Sequence, residues 1–284
     1  MITTAFDYQR AASLDDAIAK LGAGSDGAKI LAGGHSLTPL MKLRLSEPRM
    51  LIDIAQLDEL KGIRQNGSNV EIGAATVHHD VAVSPVLRDR CPALADTAAA
   101  IGDLQVRNCG TIGGSLAHAD PAADYPATLL ALDAEIHVKG PGGWRVVKAN
   151  DFFMGLFTVN LAPDEIIARV VFAPVRTAAY AKLHQRASHF ALVGVAAALD
   201  IRDGVIHTAR IGLTGASTHA VRLAHVEASL QGKPASGSTI AAAVTQAGDG
   251  LGEINSDIHA SADYRRAMIK VFTRRALERA LARA

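Results

Sequence analysis

The stretch of sequence that decides the fold reads Asn108-Cys109-Gly110-Thr111-Ile112-Gly113-Gly114-Ser115-Leu116-Ala117-His118-Ala119-Asp120-Pro121-Ala122-Ala123-Asp124. Its central feature is a Gly-Gly pair followed by a hydroxyl residue. The same arrangement stands earlier in the chain at Gly33-Gly34-His35-Ser36. Glycines let the backbone approach an anion closely, and consecutive N–H groups form an anion-binding concavity. Two such loops can grip both phosphates of a dinucleotide.

The earlier loop has two interpretations when it is taken by itself. Residues 28–32 predict a short buried strand, Gly33-Gly34 ends it, and a helix is expected to begin near Ser36. The loop either binds phosphate, with Ser36 as a hydroxyl donor, or is a tight strand-to-helix turn capped by Ser36. This segment favours neither interpretation. The second loop favours phosphate binding.

A third glycine-rich stretch, Gly22-Ala23-Gly24-Ser25-Asp26-Gly27, matches the dinucleotide fingerprint G-x-G-x-x-G. That fingerprint needs a strand before it and a helix after it, because the helix N-terminus must face the pyrophosphate. Here a helix is predicted before the glycines and a strand after them. We therefore interpret this stretch as a loop that ends a helix.

The composition is that of an ordinary soluble globular protein, with 49% apolar and 20% charged residues. The formal net charge of +1 favours neither nucleic acid nor an anionic membrane surface as a partner. No apolar run approaches the roughly 20 residues that span a bilayer. Residues 1–8 lack the pattern of a signal peptide. The sequence therefore predicts a cytoplasmic protein without a membrane span.

Two cysteines, Cys91 and Cys109, limit the redox chemistry of the chain. They are too few for the four thiolates of an ordinary iron–sulfur cluster or of an all-thiolate zinc site. The triplet His78-His79-Asp80 has metal-ligand side chains, but adjacent histidines diverge on a helix or a strand. We predict no metal site. Any redox carrier is therefore an organic cofactor or lies on another chain.

Residues 1–175 mix short strands with helices, and this pattern of predicted secondary structure changes near Pro174. The hydrophobic patterns before that point predict helices at 13–21, 92–101 and 122–132, and strands at 28–32, 51–54, 69–73, 134–139, 144–148 and 165–172. After it, two strands at 192–201 and 205–213 flank an Asp203-Gly204 hairpin turn. The second strand alternates, which predicts inward side chains at Val205, Ala209, Ile211 and Leu213.

The chain then becomes helical, with helices predicted at 218–231, 239–249 and 261–283. The last helix carries Ile269, Phe272, Ala276 and Ala280 on one face, and Lys270, Arg274 and Arg275 lie outside that face. These basic residues form either a docking surface or a solvated face, and the second is favoured at a helix C-terminus.

The two loops together resemble the medium, FAD-binding subunit of the carbon monoxide dehydrogenase and xanthine dehydrogenase family of molybdenum hydroxylases. The resemblance includes Ala32–Ser36, Thr111–Ser115 and His118–Asp124. The neighbouring sequence also resembles the family at Met41–Leu45 and Gln105–Asn108. It covers essentially the whole chain, including the change near residue 175.

The resemblance implies an α+β protein with two domains. Residues 1–175 would form an FAD-binding domain of two α/β subdomains (PCMH/vanillyl-alcohol-oxidase-like), with the cofactor stretched between them. Residues 176–284 would form a domain like the carbon monoxide dehydrogenase flavoprotein C-terminal domain, with a three-stranded antiparallel sheet and a helical bundle that covers one side of the flavin.

The resemblance also implies the binding residues for a non-covalent FAD. The first loop would hold the diphosphate and ribityl chain, the second would close over the diphosphate, and Asp124 would hydrogen-bond the adenosine ribose. Apolar residues would line the cleft at Ile101, where some relatives carry an aromatic residue, and at Ile167. Lys182 would approach the isoalloxazine, where its charge favours the reduced flavin, and contact of His184 or His189 with the flavin stays open. The implied residues are Leu31, Ala32, Gly33, Gly34, His35, Ser36, Leu37, Ile101, Thr111, Ile112, Gly113, Gly114, Ser115, Asp124, Ile167 and Lys182.

The same resemblance implies that the chain would be an oxidoreductase subunit that takes electrons from [2Fe–2S] clusters on a small subunit and passes them to an external acceptor. A large subunit would carry molybdopterin, in a dimer of heterotrimers. Two alternatives stay open at this point: a self-sufficient flavin dehydrogenase for a small organic substrate, and a non-catalytic nucleotide-binding or assembly protein.

Overall fold

A computed structural model describes residues 2–24 and 27–284. Ser25 and Asp26 of the glycine-rich stretch at 22–27 lie outside the described residues. The N-terminal part begins with a small parallel sheet in the order β1–β3–β2. Its elements in chain order are β1 (Asp7–Arg10), α1 (Leu14–Ala23), β2 (Ala28–Leu31), α2 (Leu37–Lys42) and β3 (Met50–Asp53).

Helix α1 and strand β2 confirm the order that was predicted around the glycine-rich stretch at 22–27, with a helix before it and a strand after it. The Ser13 hydroxyl caps the helix by accepting from the Asp16 N–H at 3.1 Å. The predicted apolar face, with Leu14 and Ile18 at its centre, is buried against the parallel sheet. Strand β2 then runs directly into the first Gly-Gly loop, so this sheet fixes where that loop begins.

The second subdomain is built on a five-stranded antiparallel sheet in the order β4–β5–β10–β6–β7. Its core lies between this sheet and several of the short helices, with Ile72, Leu94 and Leu129 fully buried. The elements are β4 (Ile63–Asn66), β5 (Asn69–Gly73), α3 (His78–Val83), α4 (Pro85–Arg90), α5 (Pro92–Ala99), α6 (Leu104–Cys109), α7 (Ile112–His118), α8 (Tyr125–Ala131), β6 (Glu135–Gly140), β7 (Gly143–Lys148), α9 (Ala149–Phe152), β8 (Phe153–Gly155), β9 (Thr158–Val159) and β10 (Ile166–Phe172).

The C-terminal part is an antiparallel sheet in the order β11–β12–β13–β14, with helices packed on one face. Three long strands match the expected three-stranded sheet, and a two-residue strand is added at the edge. The elements are β11 (Ala178–His184), β12 (Ala191–Arg202), β13 (Val205–Thr214), β14 (Val221–Arg222), α10 (Ala224–Leu230), α11 (Gly237–Ala243) and α12 (Ala262–Leu281).

One inward position on β13 was predicted wrongly. Ile206 is buried at 1% exposure, whereas Val205 is only half-buried. The pairing with β12 shifts between Asp200 and Ile201, which leaves His207 as an extra residue on β13. Because such a bulge moves the side chains before it to the opposite face, strict alternation fails at the start of the strand. Ala209, Ile211 and Leu213 are buried as predicted.

Helix α12 buries the predicted face, and its basic residues Lys270, Arg274 and Arg275 are exposed. Arg274 pairs with Glu278 at 2.7 Å on the same helix, as expected for a solvated face. Farther along, Arg279 donates to the Tyr180 carbonyl on β11 at 3.1 Å. No helix among residues 2–24 and 27–284 is long and apolar enough to cross a membrane.

The other face of the C-terminal sheet packs on α5 and α8 through small side chains, including Ala93, Ala127 and Ala196. The approach is closest at Gly212 on β13, where an added Cβ would lie 2.0 Å from the Ala127 carbonyl oxygen. The two parts of the chain therefore meet through backbone contact, and this contact fixes α8 and the segment that precedes it.

Gly212→Ala is expected to lower the free energy of unfolding by roughly 1–3 kcal/mol or more, the usual cost of overpacking, because the obstacle is backbone that has to move. Gly142→Ala is the matched control, since no atom lies within 4 Å of its added Cβ. Denaturant unfolding of both variants checks this. Equal stability of the two would contradict the close packing of β13 on α8.

Candidate functional site

A cleft of about 740 Å³ lies between the subdomains, within the range of small-molecule sites. One wall is formed by residues 31–37 of the first loop and the other by the second loop from Gly110 to Ser115, except Ile112. The end of β9, the start of β10 and the segment that joins them contribute a third side, and residues 188–190 reach the cleft from the C-terminal part. The structure therefore brings both predicted loops to one site.

The first loop presents a run of backbone donors. Within the part of the chain that the structure describes, the N–H groups from Gly33 to Leu37 have no hydrogen-bond acceptor. Gly34 has a φ of 71°, in the left-handed region that glycine adopts readily. The carbonyls of Gly34 and Ser36 instead accept from Thr38 and Leu40 in α2, at 3.0 and 3.2 Å. The loop is thus rich in free donors, which is the property that an anion requires.

The second loop is different, although its sequence resembles the first. The Ile112 and Gly113 N–H groups donate to the Thr76 and Ala74 carbonyls at 3.1 and 2.8 Å. The Gly114 N–H donates to the Thr111 hydroxyl at 3.1 Å, which caps α7. The expectation that this loop repeats the donor arrangement of the first is therefore wrong for these three amides. What it offers the cleft is the exposed face of Gly114 and the half-buried Ser115.

The glycines of the two loops serve mainly to bring backbone against backbone. A Cβ on Gly33 would lie 2.2 Å from the Cys109 carbonyl oxygen and 2.7 Å from the Gly110 Cα. A Cβ on Gly113 would lie 2.6 Å from the Cβ of Ala74, at the end of β5. Gly33 thus lets the first loop touch the second, and Gly113 lets the second loop rest on the sheet.

Both isoleucines that were predicted as apolar lining reach the cleft. Ile101 and Ile167 both line the cleft, and Ile167 is 4% exposed. Ile112 is fully buried in the core between the antiparallel sheet and its helices. As the first residue of α7 it points its side chain into the protein and does not line the cleft.

Asp124 lies at the back of the cleft, 4% exposed, where the C-terminal part meets the second subdomain. Its Oδ1 accepts from the Tyr180 hydroxyl at 2.5 Å, and the Lys182 Nζ lies 2.9 Å from both carboxylate oxygens. Burial raises the pKa of the Asp124 carboxyl, and the Lys182 ammonium opposes this shift most strongly. The carboxylate is therefore held by a cation and a hydroxyl, both from β11.

Lys182 does not line the cleft itself, and its predicted approach to the flavin ring stays a prediction. Its ammonium also donates to the Ala100 carbonyl at 2.9 Å, and its side chain is 5% exposed. It lines an adjoining cavity of about 760 Å³ that shares Gly102 and His189 with the cleft. The ion pair with Asp124 is the contact that joins Lys182 to a residue of the cleft.

The histidines occupy different environments. His78 is buried beneath the second loop with its Nδ1 3.1 Å from the Tyr125 hydroxyl, and burial lowers its pKa to about 4. It is therefore neutral near pH 7 and is engaged in the core. His184 and His189 stack with ring centroids 5.4 Å apart at the edge of the adjoining cavity, and His189 also reaches the cleft.

Sequence reasoning missed Tyr180, which contacts Asp124, and Phe190, which lines the cleft and is 48% exposed. Tyr180 could have been found, because it precedes Lys182 by two residues on a strand and so shares its face. Phe190 follows a turn in which His189 has a φ of 60°, and no pattern indicated that geometry.

Two family models match the chain. The model described as FAD binding domain in molybdopterin dehydrogenase matches residues 4–175. The model described as CO dehydrogenase flavoprotein C-terminal domain matches residues 178–280.

Relatives of known identity match over almost the full length. The carbon monoxide dehydrogenase medium chain of Hydrogenophaga pseudoflava is 40% identical over 100% of this chain and 99% of its own length. The glyceraldehyde dehydrogenase medium chain of Sulfolobus acidocaldarius is 36% identical over 96% of this chain and 97% of its own length.

Solved structures show the same fold. A chain of carbon monoxide dehydrogenase from Hydrogenophaga pseudoflava superposes with a TM-score of 0.95 at 40% identity and covers 100% of both chains. A chain of quinoline 2-oxidoreductase from Pseudomonas putida 86 superposes with a TM-score of 0.93 at 35% identity and covers 99% of both. The chain therefore belongs to the FAD-binding medium subunits of the molybdenum hydroxylases, an oxidoreductase family.

Proposed function

We propose that this chain is the electron-transfer subunit of a molybdenum hydroxylase complex. It takes electrons from [2Fe–2S] clusters on a small subunit and passes them from FAD to an external acceptor. A large subunit carries molybdopterin and performs the hydroxylation, in a dimer of heterotrimers. The division of the chain at residue 175 into an FAD-binding domain and a C-terminal domain belongs to the same proposal.

The observation that carries the proposal is the run of unpaired N–H groups from Gly33 to Leu37 on the wall of the cleft. Consecutive backbone donors that have no protein acceptor and line a concave site are suited to bind an anion. The FAD diphosphate supplies several anionic oxygens, and a strand-to-helix turn is a favourable place for them. We assign the diphosphate to this loop, with Ala32 and Leu31 leading into it.

The remaining lining fits the other parts of a non-covalent dinucleotide. We assign to Ser115, which lines the cleft, a hydroxyl hydrogen bond from the second loop, with Thr111 capping α7 behind it. Ile101 and Ile167 give the apolar surface that a flavin ring requires. Asp124 is assigned to an FAD hydroxyl and Lys182 to the support of Asp124. His35, whose ring lies 3.3 Å from the Gln105 carbonyl oxygen, ties the first loop to α6.

The bound FAD supplies the chemistry, because a flavin exchanges electrons with both one- and two-electron partners. The chain's own residues bind and orient it, and the walls of the cleft limit the access of water. Two cysteines are too few for the four thiolates of an ordinary iron–sulfur cluster, so the clusters and molybdenum are assigned to partner chains. The medium-chain names of several relatives support a multisubunit complex.

This assignment separates the chain from a self-sufficient flavin dehydrogenase. In the isolated, FAD-loaded chain, dye acceptors should reoxidise the flavin after dithionite has reduced it. The same chain should not oxidise aldehydes, alcohols or N-heterocycles. The complex copurified with its partner chains should show flavin reduction by its substrate in anaerobic stopped-flow absorbance. Turnover of an organic substrate by the isolated chain, free of molybdenum, would contradict the proposal.

Two glycine-to-alanine variants test the loop assignment. Gly33→Ala should abolish FAD retention, because its Cβ meets the backbone of the second loop at 2.2 Å and forces the loops apart. Gly114→Ala should have a smaller effect, since its Cβ meets only the Thr111 hydroxyl, at 2.9 Å. Loss of that cap costs about 0.5–2 kcal/mol, or roughly 2- to 30-fold in affinity if the loop alone is affected.

The measurement is the flavin-to-protein ratio after gel filtration, with FAD titration for the variants that retain binding. Gly22→Ala is the matched control, because its Cβ meets nothing within 4 Å inside α1. Full FAD occupancy in Gly33→Ala would rule out the assignment of the diphosphate to touching loops. Loss of FAD in Gly22→Ala would show that the assay reports general instability.

A further inference from the structure

The segment between the second loop and α8, residues 120–124, is held from the C-terminal sheet. The Thr214 hydroxyl lies 3.0 Å from the Pro121 carbonyl oxygen and 2.7 Å from that of Ala123. The Gly215 N–H donates to the Pro121 carbonyl at 2.8 Å, and the Ala191 N–H to the Ala122 carbonyl at 3.2 Å. Strands β12 and β13 therefore bind the backbone that leads into Asp124.

The Asp124 side chain itself is fixed by β11. Although Asp124 precedes α8, its carboxylate makes no capping bond to that helix. Both oxygens face β11 instead, where Tyr180 donates at 2.5 Å and Lys182 lies at 2.9 Å. The Tyr180 hydroxyl has little freedom, because even a Cβ on the neighbouring Gly194 would lie 2.3 Å from it.

We propose that Tyr180 is a positioning residue for FAD, which acts by orienting the Asp124 carboxylate at the back of the cleft. Thr214 supports the same carboxylate through the backbone of residues 121–123. The C-terminal sheet then sets the cofactor affinity together with the glycine loops. This inference rests on the proposed role of Asp124 as a ligand of an FAD hydroxyl.

A purely structural role of Tyr180 predicts a different result. In that case its hydroxyl stabilises the contact between β11 and α8, and its loss lowers the melting temperature whatever residue stands at 124. A positioning role requires that the effect on FAD disappear once the carboxylate is gone. A double-mutant cycle distinguishes these roles, because it isolates the coupling between the two side chains.

The experiment measures the FAD dissociation constant of Tyr180→Phe, Asp124→Ala and the double variant. Asp124→Ala should weaken FAD roughly 5- to 150-fold, as expected for loss of a hydrogen bond to a charged group. Tyr180→Phe should weaken it roughly 3- to 30-fold in the otherwise unchanged chain. In the Asp124→Ala background it should change affinity less than about 2-fold. Tyr264→Phe, on the exposed side of α12 (46% exposed), is the matched control.

The pH dependence of FAD binding gives a second readout. The Tyr180 hydroxyl and the Lys182 ammonium favour the ionised Asp124, whereas burial and the charge of Asp120 disfavour it. An ionised carboxylate is the stronger hydrogen-bond acceptor. Tyr180→Phe should therefore raise the pKa of Asp124 and move the loss of FAD affinity on acidification to higher pH. An unchanged midpoint in Tyr180→Phe would contradict the positioning role, and the Tyr264→Phe control should show no shift.

Thr214 provides an independent test if Tyr180→Phe does not fold. Thr214→Val removes the hydroxyl with little change of shape and should weaken FAD, while Thr214→Ser should restore binding. Both effects should vanish in the Asp124→Ala background.

The outcomes distinguish the role of Tyr180 from that of Asp124. Equal effects of Tyr180→Phe in both backgrounds, or none in either, would overturn the positioning role while leaving Asp124 as a ligand. No effect of Asp124→Ala itself would instead overturn the assignment of Asp124 in the proposed function.

Discussion

The first and second loops meet at Gly33, where a Cβ would lie 2.2 Å from the carbonyl oxygen of Cys109. This contact lets the parallel sheet of the first subdomain and the antiparallel sheet of the second present their loops to one cleft. The residues with free amides in the first loop line a cleft that the second loop closes, and the touching backbones bring the two loops together. A side chain at Gly33 would remove the geometry on which the phosphate assignment depends.

Much of the fold follows from local pattern. Helix α1, strands β2, β5 and β12, and the buried face of α12 were predictable, because each carries a hydrophobic period or a cap in its own sequence. Both glycine loops were also predictable as parts of one site. The spacing of glycines and hydroxyls indicates close backbone approach whatever surrounds it.

What the sequence could not provide depends on contacts between distant segments. The two loops have similar sequences. The carbonyls of Ala74 and Thr76 accept hydrogen bonds from amides of the second loop, whereas the amides of the first loop have no acceptor among the described residues. The bulge at His207 depends on how β13 pairs with β12, so the alternation misled at Val205. Likewise, Tyr180 contacts a residue of the cleft only because β11 lies against Asp124.

The central claim is that the first loop holds the diphosphate, and an experimental structure of the FAD-loaded chain tests it most directly. The account predicts diphosphate oxygens within hydrogen-bonding distance of the N–H groups between Gly33 and Leu37, with Ser115 approaching from the opposite side. A diphosphate bound only to the second loop, with the first-loop amides facing water, would contradict it.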